Sequence, residues 1–318
     1  MGGVGPGGGA AAGGAAAAGR PVRAGSSAAQ APGRPPTGAP RGGADLHTHT
    51  TASDGTVTPE ERIRMAREAG LEAVGVTDHD TLAGLPAARA AAARAGVELV
   101  PGVELSAEVE LGGRRVDVHV LGYWVDEGDE PLVELLAERR RARERRMARI
   151  LERLAAAGVV LDEDRVRAIA GEAAIGRPHI ARALVEAGVV ATVAEAFERF
   201  LSPGRPGYVP RAPLEPARAF AAIRAAGGVP VLAHPGLLPA RAQSLLPAWK
   251  AQGLLGIEVY HTKHTAAQAQ TFLAWARDLD LVPTGGSDCH GPQPGQPELI
   301  GQVRVPRAWL ERLRALAR

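Results

Sequence analysis

The sequence predicts an α/β fold, a parallel sheet or barrel interrupted by a helical insertion, on three observations. From Ala44 onward, short apolar runs that end in polar residues alternate with amphipathic helical stretches, the signature of βα units. Between about residues 126 and 205 the alternation stops, and helical periodicity continues without a strong strand. Histidine, aspartate and glutamate gather where the predicted strands end.

A chain of 318 residues with 45% hydrophobic content can bury a sizeable core as one large or two small domains. Residues 1–43 are rich in Gly, Ala and Pro with no apolar periodicity, so the segment is expected to be disordered. Its four arginines exceed the formal net charge of +2, so the rest of the chain is net acidic and carries no bulk footprint for nucleic acid. Cys289 is the single cysteine, which excludes an intramolecular disulfide and a thiolate metal cage. With no run of about 18 apolar residues to span a membrane and no secretory leader pattern, the expected compartment is the cytoplasm.

The barrel portion is expected over 44–125 and 206–318. Asp45-Leu46-His47-Thr48-His49 reads as a strand end; alternation sends His47 and His49 to one side, and Asp54 follows after a short turn. A helix from Pro59 to Ala69 leads to the strand Ala73 to Thr77, closed by Asp78-His79-Asp80. A second helix, Thr81 to Ala95, leads to the strand Val97 to Glu104, and Arg115 to Leu121 alternates strictly, with Asp117 and His119 on one face. The insertion, 126–205, opens with a helix from Glu130 to Ala157, whose arginine run Arg139 to Arg149 reads as a solvated face mixed with Glu138 and Glu144, with phosphate binding as the minority reading. Arg177-Pro178-His179 opens a further helix. The βα rhythm returns with a helix Pro213 to Ala226 and a strand Val229 to Ala233 ended by His234. Leu255 to Tyr260, a helix Thr265 to Leu279, and Leu281 to Gly286 follow, the last running into Ser287-Asp288-Cys289-His290. A strand near Gln302 to Val305 and a helix after Pro306 close the chain.

Six histidines (His47, His49, His79, His119, His234, His290) with Asp54, Glu104 and Asp288 thus fall at or just past strand ends, which in α/β barrels is where active sites form. That inventory exceeds the needs of one ion and suits two or three divalent cations sharing a carboxylate. Glu104 ends an apolar strand, where an unpaired carboxylate is costly. Asp78 and Asp80 are placed to orient the His79 imidazole, Asp80 also being a candidate substrate contact. Cys289 is read as packing, and His261 and His264 as loop or helix surface.

Taken together, Asp45-Leu46-His47-Thr48-His49 with Asp54, Thr77-Asp78-His79-Asp80, Gly102-Val103-Glu104, His119, Ala233-His234-Pro235 and Gly286-Ser287-Asp288-Cys289-His290-Gly291 resemble the PHP (polymerase and histidinol phosphatase) superfamily of metal-dependent phosphoesterases. Arg177-Pro178-His179-Ile180-Ala181, Pro206-Gly207-Tyr208-Val209-Pro210 and the inserted helices resemble its branch of nucleoside 3′,5′-bisphosphate phosphatases and 5′–3′ exoribonucleases. The resemblance implies a distorted (β/α)7-type barrel with a site for three ions, filled by manganese, zinc or iron. It implies one ion on His47, His49, Glu104 and Asp288, a second on Glu104, His119 and His234, and a third on Asp54, His79 and His290. Glu104, His234, Asp54 and His79 are the residues expected to be catalytic. Arg177 is expected to grip a phosphate bidentately, with His179 as a second contact. A phosphorylated nucleotide or short RNA is the expected partner. The alternatives are a small-metabolite phosphatase of the histidinol-phosphate type and a non-catalytic metal-binding module.

Overall fold

In the computed structural model, residues 1–3, 5, 42–171, 173–292 and 297–318 are described. The segment 1–43, expected to be disordered, lies outside them except at a few positions. Seven strands form one sheet in chain order: β1 (Ala44–Asp45), β2 (Ala73–Val76), β3 (Glu98–Leu111), β4 (Arg114–Tyr123), β5 (Val229–Leu232), β6 (Gly256–His261) and β7 (Val282–Gly286). The sheet curls until its ends meet. Leu46 N donates to Gly285 O (3.1 Å), Asp288 N donates to His47 O (2.9 Å), and Thr48 bridges Cys289 in parallel register. The result is a nearly closed α/β barrel.

Helices α1 (Pro59–Glu68) and α2 (Leu85–Ala95) connect the first three strands, which pair in parallel. The start of α1 is set by Thr58 and Glu61: the Thr58 hydroxyl accepts from Glu61 N (3.2 Å) and the Glu61 carboxylate from Thr58 N (2.8 Å), with Pro59 in the first turn. The parallel pattern then breaks, contrary to the uniform βα rhythm expected. β3 turns back into β4 as a long antiparallel hairpin, and β4 pairs antiparallel with β5. Gly112 and Gly113 at the turn have φ of 59° and 75°, which supplies the twist of a two-residue hairpin. Parallel pairing resumes from β5 through β7.

Between β4 and β5 lie α3 (Glu130–Ala156), α4 (Glu163–Ala170), α5 (Arg177–Glu186), α6 (Val193–Ala196), a π-helical turn at Phe197–Leu201, and α7 (Pro216–Ala225). α3 serves two cores. Leu132, Leu135 and Leu136 in its first half join the barrel core with Phe220 and Ile223, while Met147, Ile150 and Leu154 join a separate cluster with Val166, Ile180, Leu184 and Phe200. The short helices α8 (Ala240–Gln243) and α9 (Leu246–Ala251) follow β5, α10 (Ala266–Asp278) joins β6 to β7, and α11 (Arg307–Arg314) closes the chain. The strand expected near 302–305 is reduced to one bridge, Val305 with Ala44, because Gly301 turns the chain at φ 70° and Pro306 stops the pairing. No helix among the described residues is long and apolar enough to cross a membrane.

Close packing of strand ends positions the site. A Cβ on Gly75 of β2 would lie 2.2 Å from Leu46 O and 2.6 Å from Leu46 C, backbone atoms that cannot yield. Gly75→Ala is expected to cost about 3 kcal/mol or more, by overpacking, whereas Gly128→Ala, which meets only the Asp126 carboxylate at 3.4 Å, stays near neutral. Thermal unfolding of the two variants checks this.

Candidate metal centre

The barrel mouth is built around one carboxylate. Glu104, at the centre of β3 and fully buried, has His47 Nε2 and His49 Nε2 3.2 Å from its Oε2, and His79 Nδ1 at 3.1 Å. Its Oε1 faces His119 Nδ1 at 2.8 Å and His234 Nε2 at 3.2 Å. His49 Nε2 also lies 3.2 Å from Asp288 Oδ1, and His290 Nε2 3.3 Å from Asp54 Oδ1. Nitrogen and oxygen atoms of three sets fall within 4.8 Å of one another: His47, His49, Glu104 and Asp288; His49, Asp54, His79 and His290; and His79, Glu104 and His119. All nine residues expected as ligands are brought together.

Local backbone explains how. Asp288 and His234 hold φ of 54° and 29°, values uncommon outside glycine that turn each side chain inward just past its strand. His290 Nδ1 is 2.8 Å from Asp288 O, which leaves Nε2 for Asp54. Asp78 accepts from Thr50 N (2.8 Å), Thr50 Oγ1 (2.7 Å) and Ser53 Oγ (2.6 Å), and so folds the loop that carries Asp54. That is a correction: Asp78 shapes this loop and does not orient the His79 ring.

The donor set fits cations. Glu104 Oε2, His49 Nδ1, His79 Nδ1 and His234 Nδ1 are buried without a hydrogen-bond partner, although three imidazole nitrogens crowd Glu104 Oε2. Electrostatics agree. Burial disfavours protonation of His47, yet the Glu104, Glu258 and Asp288 carboxylates raise its pKa well above the usual histidine value. Burial likewise opposes ionisation of Asp54, Glu104 and Asp288, and the surrounding imidazoles hold all three well below the usual carboxylate range. His79 falls to about 3, through burial first. Such a cavity attracts positive charge and can bind metal ions.

The PHP domain model matches residues 45–159. A 5′–3′ exoribonuclease of Haemophilus influenzae is 35% identical over 251 residues, spanning 78% of this chain and 90% of that protein. The chain belongs to the PHP family. A 3′,5′-nucleoside bisphosphate phosphatase of Chromobacterium violaceum is 36% identical over 259 residues, 79% of this chain and 88% of that protein. A crystal structure from Bifidobacterium adolescentis, described as a metal-dependent phosphoesterase, superposes with a TM-score of 0.79 at 36% identity, covering 87% of this chain and 97% of that one. The protein is therefore a hydrolase of phosphate esters on a metal-binding PHP barrel.

Beside this PHP mouth lies a basic pit that corrects the solvated reading for part of the arginine run, while Arg145 and Arg149 stay exposed. Arg140 and Arg141 are exposed, but Arg139, Arg143 and Arg146, spaced along one face of α3, turn inward. Arg139 donates to Ala212 O (2.7 Å) and Ser106 O (3.0 Å), Arg143 to Asp80 Oδ2 (2.8 Å), and Arg146 to Val209 O (2.8 Å). Arg177 donates to Leu201 O (3.3 Å) and Arg211 reaches His119 Nε2 at 3.0 Å; Asp117 is the acid nearest both, at 3.5 and 3.8 Å. Burial, then the charges of Arg177 and Arg211, lowers the Arg146 pKa to about 9.

Two expected substrate contacts are occupied with other work. His179 is 1% exposed and its Nδ1 accepts from Gly176 N (3.0 Å), satisfying a free donor at the start of α5. Asp80 pairs with Arg143 and accepts from Ser106 N (3.0 Å), and makes no hydrogen bond to His79. His261 and His264 are also corrected, from surface to a buried and a half-buried position. His261 is 4% exposed with Nε2 3.4 Å from Asp288 Oδ2, and His264 spans Val259 O (2.9 Å) and Gly236 N (3.1 Å). Cys289 is buried as expected, against Arg62 and Glu298. Sequence reasoning missed Glu258, whose carboxylate lies 3.2 Å from His47 Nδ1; a lone acid inside the apolar run Leu255 to Tyr260 was the available signal.

Burial opposes ionisation of Asp80, but Arg143 and then Arg139 lower its pKa to about 2, against roughly 3.9 in an unfolded chain. Its contribution, about 2 to 3 kcal/mol, is thus present above pH ~4 and lost as pH falls toward 2. Asp80→Asn should lower stability by that order at neutral pH, and urea unfolding across a pH series should show the gap closing in that window. A gap independent of pH would mean Arg143 does not hold an ionised Asp80.

Proposed function

We propose that the protein removes one phosphate from a nucleotide that carries a second, the 3′-phosphate of a nucleoside 3′,5′-bisphosphate, and that it trims 5′-phosphorylated RNA in the 5′ to 3′ direction by the same chemistry. One observation carries the reading: the ligand cluster adjoins a pit lined by Arg146, Arg177 and Arg211, the last two with Asp117 as their nearest acid and Arg211 touching His119. Three guanidinium groups held so close raise one another's free energy unless an anion lies between them. The names of the two relatives above point to the same substrate classes.

In this reading His47, His49, Glu104 and Asp288 hold one ion, Glu104 shares a second with His119 and His234, and Asp54, His79 and His290 hold a third. The grouping of these atoms supports the first and third sets and the pairing of Glu104 with His119, with His49 also within reach of the third set and His79 of the second; His234 joins through its Nε2, 3.2 Å from Glu104 Oε1. Two to three divalent transition ions are expected, manganese first and zinc or iron as alternatives. Bound cations supply charge for the phosphoryl oxygens and acidify the attacking water. Glu104, His234, Asp54 and His79 form the catalytic group around the phosphorus. Arg177 and Arg211 hold the phosphate that is not cleaved, fixing the ester over the cluster, a task that suits the planar fork of arginine. The buried, unpaired thiol of Cys289 suits a reducing compartment, and we assign the activity to the cytoplasm.

Arg177→Ala should reduce kcat/KM for adenosine 3′,5′-bisphosphate by about 2 to 4 kcal/mol, the scale of a lost charge-assisted contact, and leave a generic aryl phosphate almost unchanged. Both substrates meet the same metals, so the ratio isolates the arginine. Equal losses on both would assign Arg177 to the reacting centre or to folding. No loss on either would favour a small-metabolite phosphatase of the histidinol-phosphate type, which has no second phosphate for the pit to hold.

A further inference from the structure

Glu258 is a buried acid that the grouping above does not use, although it touches two of the grouped histidines. It lies in the middle of β6 with no solvent exposure. A register shift between Glu258 and Tyr260 resets the strand's alternation, so that both Glu258 and His261 face the ligand cluster while Tyr260 turns outward. Glu258 Oε1 lies 3.2 Å from His47 Nδ1, and Oε2 accepts from His234 N at 2.7 Å. These two histidines flank Glu104: His47 Nε2 is 3.2 Å from Glu104 Oε2, and His234 Nε2 is 3.2 Å from Glu104 Oε1. His234 is also the residue held at φ 29°.

We propose that Glu258 is a positioning residue for the metal centre, one carboxylate that fixes the His47 ring and the His234 backbone together. As an acceptor, Glu258 requires the proton of His47 on Nδ1, which leaves the Nε2 lone pair aimed at the cluster. Its second oxygen holds the peptide N–H of His234, and that bond keeps a strained backbone in the one conformation that sends the imidazole inward. Glu104 meets the Nε2 atoms of both histidines, and among the described side chains Glu258 alone bonds His47 Nδ1 and the His234 backbone N–H. The inference rests on the cluster binding divalent ions.

The discriminating change is Glu258→Gln. A glutamine has one acceptor oxygen for two donors, so its amide N–H₂ must face either His47 Nδ1–H or His234 N–H, donor against donor. His47 relieves the clash by moving its proton to Nε2, which removes it as a ligand. Titrating Mn²⁺ into metal-free full-length protein, Glu258→Gln should bind about 10- to 100-fold more weakly than wild type, and Glu258→Asp, which keeps the charge, should recover part of the loss. Melting of the metal-free proteins is the control. Lower melting with Mn²⁺ affinity intact would mark a purely structural carboxylate and overturn the proposal, as would unchanged affinity. A wild type that binds no Mn²⁺ would instead overturn the metal reading itself. If neither variant folds, ¹⁵N shifts of His47 in zinc-loaded wild type decide: a proton on Nδ1 supports the proposal, and one on Nε2 overturns it.

Discussion

Burying the carboxylate of Glu104 constrains everything around it. An ionised carboxyl taken out of water costs several kcal/mol unless charge and hydrogen bonds compensate, and on β3 it has no solvent to turn to. Compensation comes from five imidazoles at 2.8 to 3.2 Å, carried by segments that follow β1, β2 and β5 and by β4 itself. Those segments can meet only if the sheet curls shut, and the close approach of Gly286 to His47 is what that closure demands. The carboxylate and the barrel are one constraint seen at two scales.

The long helix α3 ties this mouth to its neighbour. One half packs into the barrel core and the other into the helical cluster, so the arginines midway along it are fixed relative to both. Arg143 spends its charge on Asp80, and Arg139 on carbonyl oxygens. Arg177 and Arg211 have Asp117 as their closest acid, and with Arg146 they leave surplus positive charge beside the ligand cluster. The selectivity proposed above for a second phosphate would then follow from packing that has no direct part in the chemistry.

Much of the site was legible because strand geometry is simple: a period of two and a turn after each strand place His47, His49, His79, His234 and His290 at one end without further information. What escaped depended on three-dimensional context. The inward face of α3 looks in sequence like any charged helix, since Arg139, Arg143 and Arg146 alternate with exposed Arg140 and Arg141; only the partners at Ser106, Asp80 and Val209 distinguish them. His179 and Asp80 stand next to motif residues, yet satisfy a helix end and an arginine. Two features were readable and were missed. Gly112-Gly113 between two alternating runs is a hairpin turn, which accounts for the antiparallel β4, and Glu258 breaks an apolar strand just as Glu104 does.

The central claim is that nine side chains converge to hold a cluster of cations. Elemental analysis of the purified protein tests it most directly, since the ion count per chain does not depend on the substrate chosen. The account predicts two to three divalent transition ions per chain, removed by chelation together with all phosphoesterase activity. At most one ion per chain, with activity intact in chelator, would contradict it.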